Sequence, residues 1–335
     1  MKQLFKSKPI LSFTLLTLSI TLTFWFLPVV VTLPKDIGFG AILIGGCGPL
    51  IAGYLLTVIN SGEIIKIGSR SIFFTVFLVS ALVLFLRLYF VNNGLSDANG
   101  KIPSLNEVGI LAFVTFGLLC FILALNLSNA TNSKLKENYL NSSFFESGKA
   151  RWYVIGFSLF ILLNICSYFI GGLLNLKTTD FIIKTEPTWL IGFISNFLFF
   201  GGIEEFGWRG FLQKELQKKY NPLIGTLVVS LSWSLWLLPL HFNGFYSTGG
   251  FIDWLPLVAL MIPLTITYTW VYNKSSYSIL AVILLHAMFN NVNGAVGKSE
   301  LVFLVLGISF SIFCIFDDKM WKMRSFEHIY NSKSE

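Results

Sequence analysis

A chain of 335 residues with a mean hydropathy of +0.72 and only 12% charged residues lacks the polar surface of a water-soluble globule. Several of its apolar runs reach the ~20 residues needed to cross a bilayer, so it reads as a polytopic membrane protein. The net charge of +7 is read loop by loop in such a chain and gives little support for a nucleic-acid partner.

The apolar runs predict about ten transmembrane helices in an all-α bundle. Lys2, Lys6 and Lys8 precede a first span from Ile10 to about Leu33, too long for a signal-peptide core and without a cleavage pattern. A second runs from about Phe39 to Ile59, where Gly45-Gly46 and Gly48-Pro49 signal close packing or a kink. The third covers about Ser71–Val91 and the fourth Val108–Leu127. The polar segment 128–151 separates residues 1–151, with about four spans, from 152–317, with about six. The fifth span covers about Trp152–Leu174, and the sixth begins near Trp189, an interfacial marker. It continues through Glu204-Glu205 into an amphipathic tail. The seventh follows Asn221-Pro222 and ends near His241. The eighth covers Trp254–Tyr272, the ninth about Tyr277–Val292 and the tenth about Leu301–Phe316, before a polar tail, 318–335.

The distribution of basic residues agrees with this parsing. With the N-terminus inside, 18 lysines and arginines fall on cytoplasmic segments and 6 on outer ones. The positive-inside rule then places both termini in the cytoplasm. The four cysteines, Cys47, Cys120, Cys166 and Cys314, lie far apart in apolar stretches. They read as small buried hydrophobes rather than a disulfide framework or zinc site.

Three places carry groups that lipid-facing helices do not need. The first is Glu204, Glu205 and Arg209. An ionisable residue inside a membrane span is a functional-site candidate, and here two carboxylates are adjacent. On a helix, Glu205 and Arg209 share a face, while Glu204 points about 100° away. Arg209 is thus expected to neutralise Glu205 and leave Glu204 free to act on water. The alternative is a helix end where charges reach the headgroups. The second place is Ser230–His241 in the seventh span. The third is the ninth span, where His286 and Asn290 lie four apart on one face. A neutral imidazole and a carboxamide there could both donate to an oxyanion, or the pair could simply glue helices together.

Glu204-Glu205-x-x-x-Arg209, followed about eighty residues later by His286-x-x-x-Asn290, resembles the CPBP intramembrane proteases. This CAAX-protease and bacteriocin-processing (Abi) family includes the type II CAAX prenyl endopeptidases. The resemblance covers about Trp189–Asn293. It implies a helical membrane core around a polar cavity and an endopeptidase that cleaves a membrane-associated protein or peptide. By resemblance, Glu204 activates water, Glu205 and Arg209 hold the motif together, and His286 and Asn290 stabilise the oxyanion. The expected surroundings are membrane lipids and a protein or peptide substrate, without nucleic acid.

One position departs from the pattern. The family has a histidine in a Trp-x-x-Trp-His-x-Pro frame; this chain reads Trp233-Ser234-Leu235-Trp236-Leu237-Leu238-Pro239. Leu237 cannot ligate or deprotonate water. His241 lies one turn further on, about 6 Å along the axis. Either Pro239 kinks it inward to act with Glu204, or it is an interfacial histidine and Leu237 faces the cavity. The intact frame favours the second geometry. No cofactor is expected. Zinc would compete through the carboxylates and histidines, but HExxH is absent and Leu237 removes a ligand. Two other classes remain: a non-catalytic membrane scaffold or bacteriocin-immunity protein, and a transporter, which the lack of an evident two-fold repeat disfavours.

Overall fold

The computed structural model describes residues 2–62, 64–91, 102–129, 150–179, 186–247, 249–292 and 296–323. Among these, helices are the only regular elements. After a short helix, Lys2–Ser7, come α1 (Pro9–Val30), α2 (Lys35–Gly46), α3 (Gly48–Ser61), α4 (Arg70–Val91), α5 (Ile110–Ser128) and α6 (Ala150–Leu173). Then follow α7 (Glu186–Leu198) and α8, a composite of Glu205–Gly207, a π-helical turn Trp208–Gln213 and Lys214–Gln217. The last four are α9 (Pro222–Leu237), α10 (Phe251–Lys274), α11 (Ile279–Val292) and α12 (Glu300–Asp317). Most of the segment expected to divide the chain, and the tail beyond Met323, lie outside the described residues.

Local chemistry sets several boundaries. Asn221 caps α9 by accepting the Ile224 amide on Oδ1 at 2.9 Å, with Pro222 at the first helical position. Proline likewise opens α1 and lies in the first turn of α3. On α4, Phe74, Leu78, Leu82, Phe85 and Tyr89 are exposed and recur every three or four residues. That apolar stripe points outward, as a face turned to lipid does. The opposite face buries Phe73, Val83, Leu84 and Arg87.

Among the described residues, eight helical stretches are long and apolar enough to cross a membrane, or up to nine when α2 and α3, bent by 42° at Cys47, count as one span. The remaining expected span is α11. With 14 residues it is roughly 21 Å long, short of the ~30 Å hydrocarbon core. Its apolarity has another cause: ten of its residues are buried, and it packs against α6, α7 and α10. It is an interior helix, screened from lipid by its neighbours.

The sixth span is also not one regular helix. Pro187–Gln217 is apolar over 31 residues but breaks after α7 and resumes through a 3₁₀ turn, Gly202–Glu204. Helices from both parts of the chain surround this break: α3 packs on α8, α4 on α7, and α1 on the turn that follows α9. At Gly207 a Cβ would collide with the carbonyl of Pro49, so the α3–α8 crossing needs a residue without a side chain.

Candidate active site

The break after α7 creates the site. Gly201 has φ +121°, a conformation that side chains rarely adopt. A Cβ there would lie 2.6 Å from Nε2 of His286 and 2.7 Å from Nδ2 of Asn290. Gly201 therefore turns the chain and leaves room for two polar side chains from α11. The Asn290 amide donates to the carbonyl of Phe200 at 2.5 Å, so α11 is tied to the turn. A carboxamide has a second N–H to offer a ligand. Behind the turn, the Arg87 guanidinium lies 4.4 Å from the centre of the Phe200 ring and donates to Ser195. This cation–π contact braces the site from α4.

Glu205 and Arg209 are fully buried. Nη1 of Arg209 reaches Oε2 of Glu205 at 2.9 Å and Oε1 at 3.2 Å. The guanidinium also lies over two ring faces, 4.8 Å from the centre of Trp233 and 4.9 Å from that of Tyr268. These aromatic faces supply part of the stabilisation that water would otherwise give a cation. Oε1 of Glu205 receives a further hydrogen bond from Nδ1 of His286 at 2.7 Å. Both oxygens of this carboxylate are thus engaged.

That bond bears on the role expected for His286. A neutral imidazole has one N–H, and here it faces Glu205. Nε2 is then an acceptor, and it donates only when the ring carries both protons. The expectation of a neutral imidazole donating into the cavity therefore does not fit this geometry.

Glu204 ends the 3₁₀ turn Gly202–Glu204, one residue before the ion-paired Glu205. It lines a cavity of about 200 Å³ together with His286 and Asn290. One oxygen, Oε2, is buried with no hydrogen-bond partner among the described residues. Apart from Tyr246 the remaining wall is largely apolar: Trp236, Leu237, Leu240 and Leu264 come from the second part of the chain, and Trp25, Ile42 and Leu43 from α1 and α2. The sequence reading missed that N-terminal contribution. Its one available signal was Trp25, an indole inside a span rather than at an interface.

The structure brings Glu204, Glu205, Arg209, His286 and Asn290 together and leaves His241 apart. His241 closes the turn Leu238–His241, its Nδ1 3.1 Å from Oγ of Ser247 and its ring edge-on to Tyr246. Leu237, not His241, is on the cavity wall. The 3₁₀ turn carries His241 past the end of the cavity. Among the described residues no group of three or more His, Cys, Asp or Glu side chains is arranged to hold a metal ion.

Comparison with known proteins converges on the same region. Residues 186–292 match the family model of the type II CAAX prenyl endopeptidase Rce1-like proteins. That range holds all the residues gathered at the site except the N-terminal wall. The chain is also similar to CAAX prenyl protease 2 of Methanococcus maripaludis, at 29% identity over 152 residues, covering 35% of this chain. The match spans 56% of that relative's length. The two matches support a relationship of residues 186–292 of this polytopic membrane protein to the CPBP, or CAAX-protease, family, and the chain spans just over half the length of the relative it matches.

Proposed function

We propose that the chain is an integral-membrane endopeptidase in which Glu204 activates the attacking water. The observation that carries this reading is the unequal state of two adjacent carboxylates. Glu205 is closed off by Arg209 and His286, while Glu204 lines the cavity and, among the described residues, has no cation paired with it. A base must be within reach of its proton and not already neutralised. In this mechanism Glu204 takes a proton from water as the water adds to a peptide carbonyl. The proton then passes to the departing amine. The second N–H of Asn290 faces the developing oxyanion, joined by Nε2–H of His286 when that ring is protonated. No cofactor takes part. The apolar walls suit a membrane-associated protein or peptide presenting apolar side chains.

The test compares peptide termini in membranes from cells carrying the wild-type chain, Glu204→Gln, or neither. A set of termini produced by the wild type alone supports the proposal; identical sets sink it. A second reading has one specific observation in its favour. Leu237 on the cavity wall has no polar atom, where the family pattern has an imidazole. A scaffold or bacteriocin-immunity protein using the cavity to hold a partner would show unchanged termini and a phenotype indifferent to Glu204→Gln.

A further inference from the structure

Four tryptophans at or beneath the cavity divide into two kinds. Trp25 donates its indole N–H to the carbonyl of Ile42 at 2.7 Å, and Trp236 donates to Oγ1 of Thr21 at 2.6 Å. Both rings are held by acceptors on the N-terminal helices. Trp208 and Trp233 are as deeply buried, but among the described residues their Nε1 atoms have no acceptor in good hydrogen-bond geometry. An indole N–H can only donate. Leaving a buried donor unused is costly, so two such donors in one place call for an explanation.

Both lie beside Glu204. Trp208 follows it by one helical turn. Trp233 reaches it from α9 and lines the same cavity. The two indoles pack on each other with ring centres 6.3 Å apart. The unpartnered Oε2 of Glu204 completes the set: two unused donors and one unused acceptor share a buried corner. The other charged or titratable groups facing Glu204 are Glu205 and Arg209 from α8, Cys47 from the α2–α3 bend, Tyr246, Tyr268 from α10 and His286 from α11. Arg209, the cation among them, is paired with Glu205. Leu237, one turn beyond Trp233, offers no polar atom.

We infer that Trp208 and Trp233 are positioning residues for Glu204. Their N–H groups hold Oε2 from the protein side and turn Oε1 towards the cavity. The catalytic meaning of this arrangement rests on the endopeptidase reading; the hydrogen bonds themselves do not.

The test is the carbonyl stretch of protonated Glu204, read from acid-minus-neutral infrared difference spectra of the full chain in lipid bilayers. The band is assigned by its loss in Glu204→Gln. Trp208→Phe and Trp233→Phe keep an aromatic ring and remove the donor. Each is expected to move the band to higher wavenumber, and Trp236→Phe to leave it in place. A band unmoved by both, or moved as far by Trp236→Phe, overturns the inference. A second measurement does not depend on the tryptophan variants folding in bilayers or on the carboxyl titrating. With indole-15N tryptophan, Glu204→Leu should displace the resonances of Trp208 and Trp233 and leave those of Trp25 and Trp236. No displacement of the first two overturns it. Failure of the wild type to cleave any peptide would sink the endopeptidase reading and leave both spectra as they are.

Discussion

His286 donates Nδ1–H to Oε1 of Glu205 at 2.7 Å, joining α11 to α8 across 81 residues of sequence. The same carboxylate holds Arg209, so three buried polar groups from two helices share one set of hydrogen bonds. Removing one partner of such a pair strands a buried charge, at a cost of about 3–5 kcal/mol. Glu205→Gln should therefore lower stability by that amount in thermal unfolding of the detergent-purified protein. Glu205→Gln combined with Arg209→Met should cost less than the sum of the two single changes. Additive losses would show that the two side chains are not coupled.

Glu204→Gln should behave in the opposite way. Glutamine keeps an oxygen that can accept the Trp208 and Trp233 N–H groups, so unfolding should change by less than about 1 kcal/mol. Cleavage should fall by about 10²–10⁴-fold, the usual contribution of a positioned base. Near-normal turnover would remove Glu204 from the mechanism.

Gly201→Ala tests the turn. The substitution strains a backbone at φ +121° and drives a methyl into His286 and Asn290. We expect a loss of about 1–3 kcal/mol from the backbone alone, and loss of cleavage. Gly38→Ala, in α2 with open space around the new methyl, is the control. It should be neutral or gain roughly 0.5–1 kcal/mol from helix propensity. Equal effects at the two positions would refute the special role of Gly201.

Leu237 and His241 separate a wall residue from a bystander. His241→Ala breaks a contact to Ser247 away from the cavity and should leave cleavage within about twofold of wild type, as expected of a change outside the site. Leu237→His places an imidazole on the wall beside Glu204 and should raise turnover. A collapse of activity in His241→Ala would place that ring in the mechanism after all.

Topology is tested by reporter fusions. One after Ser142 should report the cytoplasm and one after Tyr246 the outside, as the positive-inside rule requires. Reversed signals at both points would invert the orientation.

The sequence alone determined that this is a helical membrane protein, because twenty-residue apolar runs have no other stable use. It also determined the Glu205–Arg209 pairing, since a four-residue spacing acts within one helix. It marked His286 and Asn290, because polar side chains in an apolar run are conspicuous. Tertiary structure decided what those groups touch. Glu205 rather than the cavity holds the N–H of a neutral His286, because α11 lies against α8, and no local pattern records that packing. Apolarity also could not separate α11, buried by protein, from a helix buried by lipid, since both environments reject polar groups equally. The break at Gly201 was equally hidden: glycine permits a positive-φ turn without requiring one, and the two side chains from another helix that fill the space a Cβ would need are visible only in the tertiary structure. Finally, the register in Trp233-x-x-Trp236 put Leu237 in line for the cavity, but only the 3₁₀ turn after it carried His241 away.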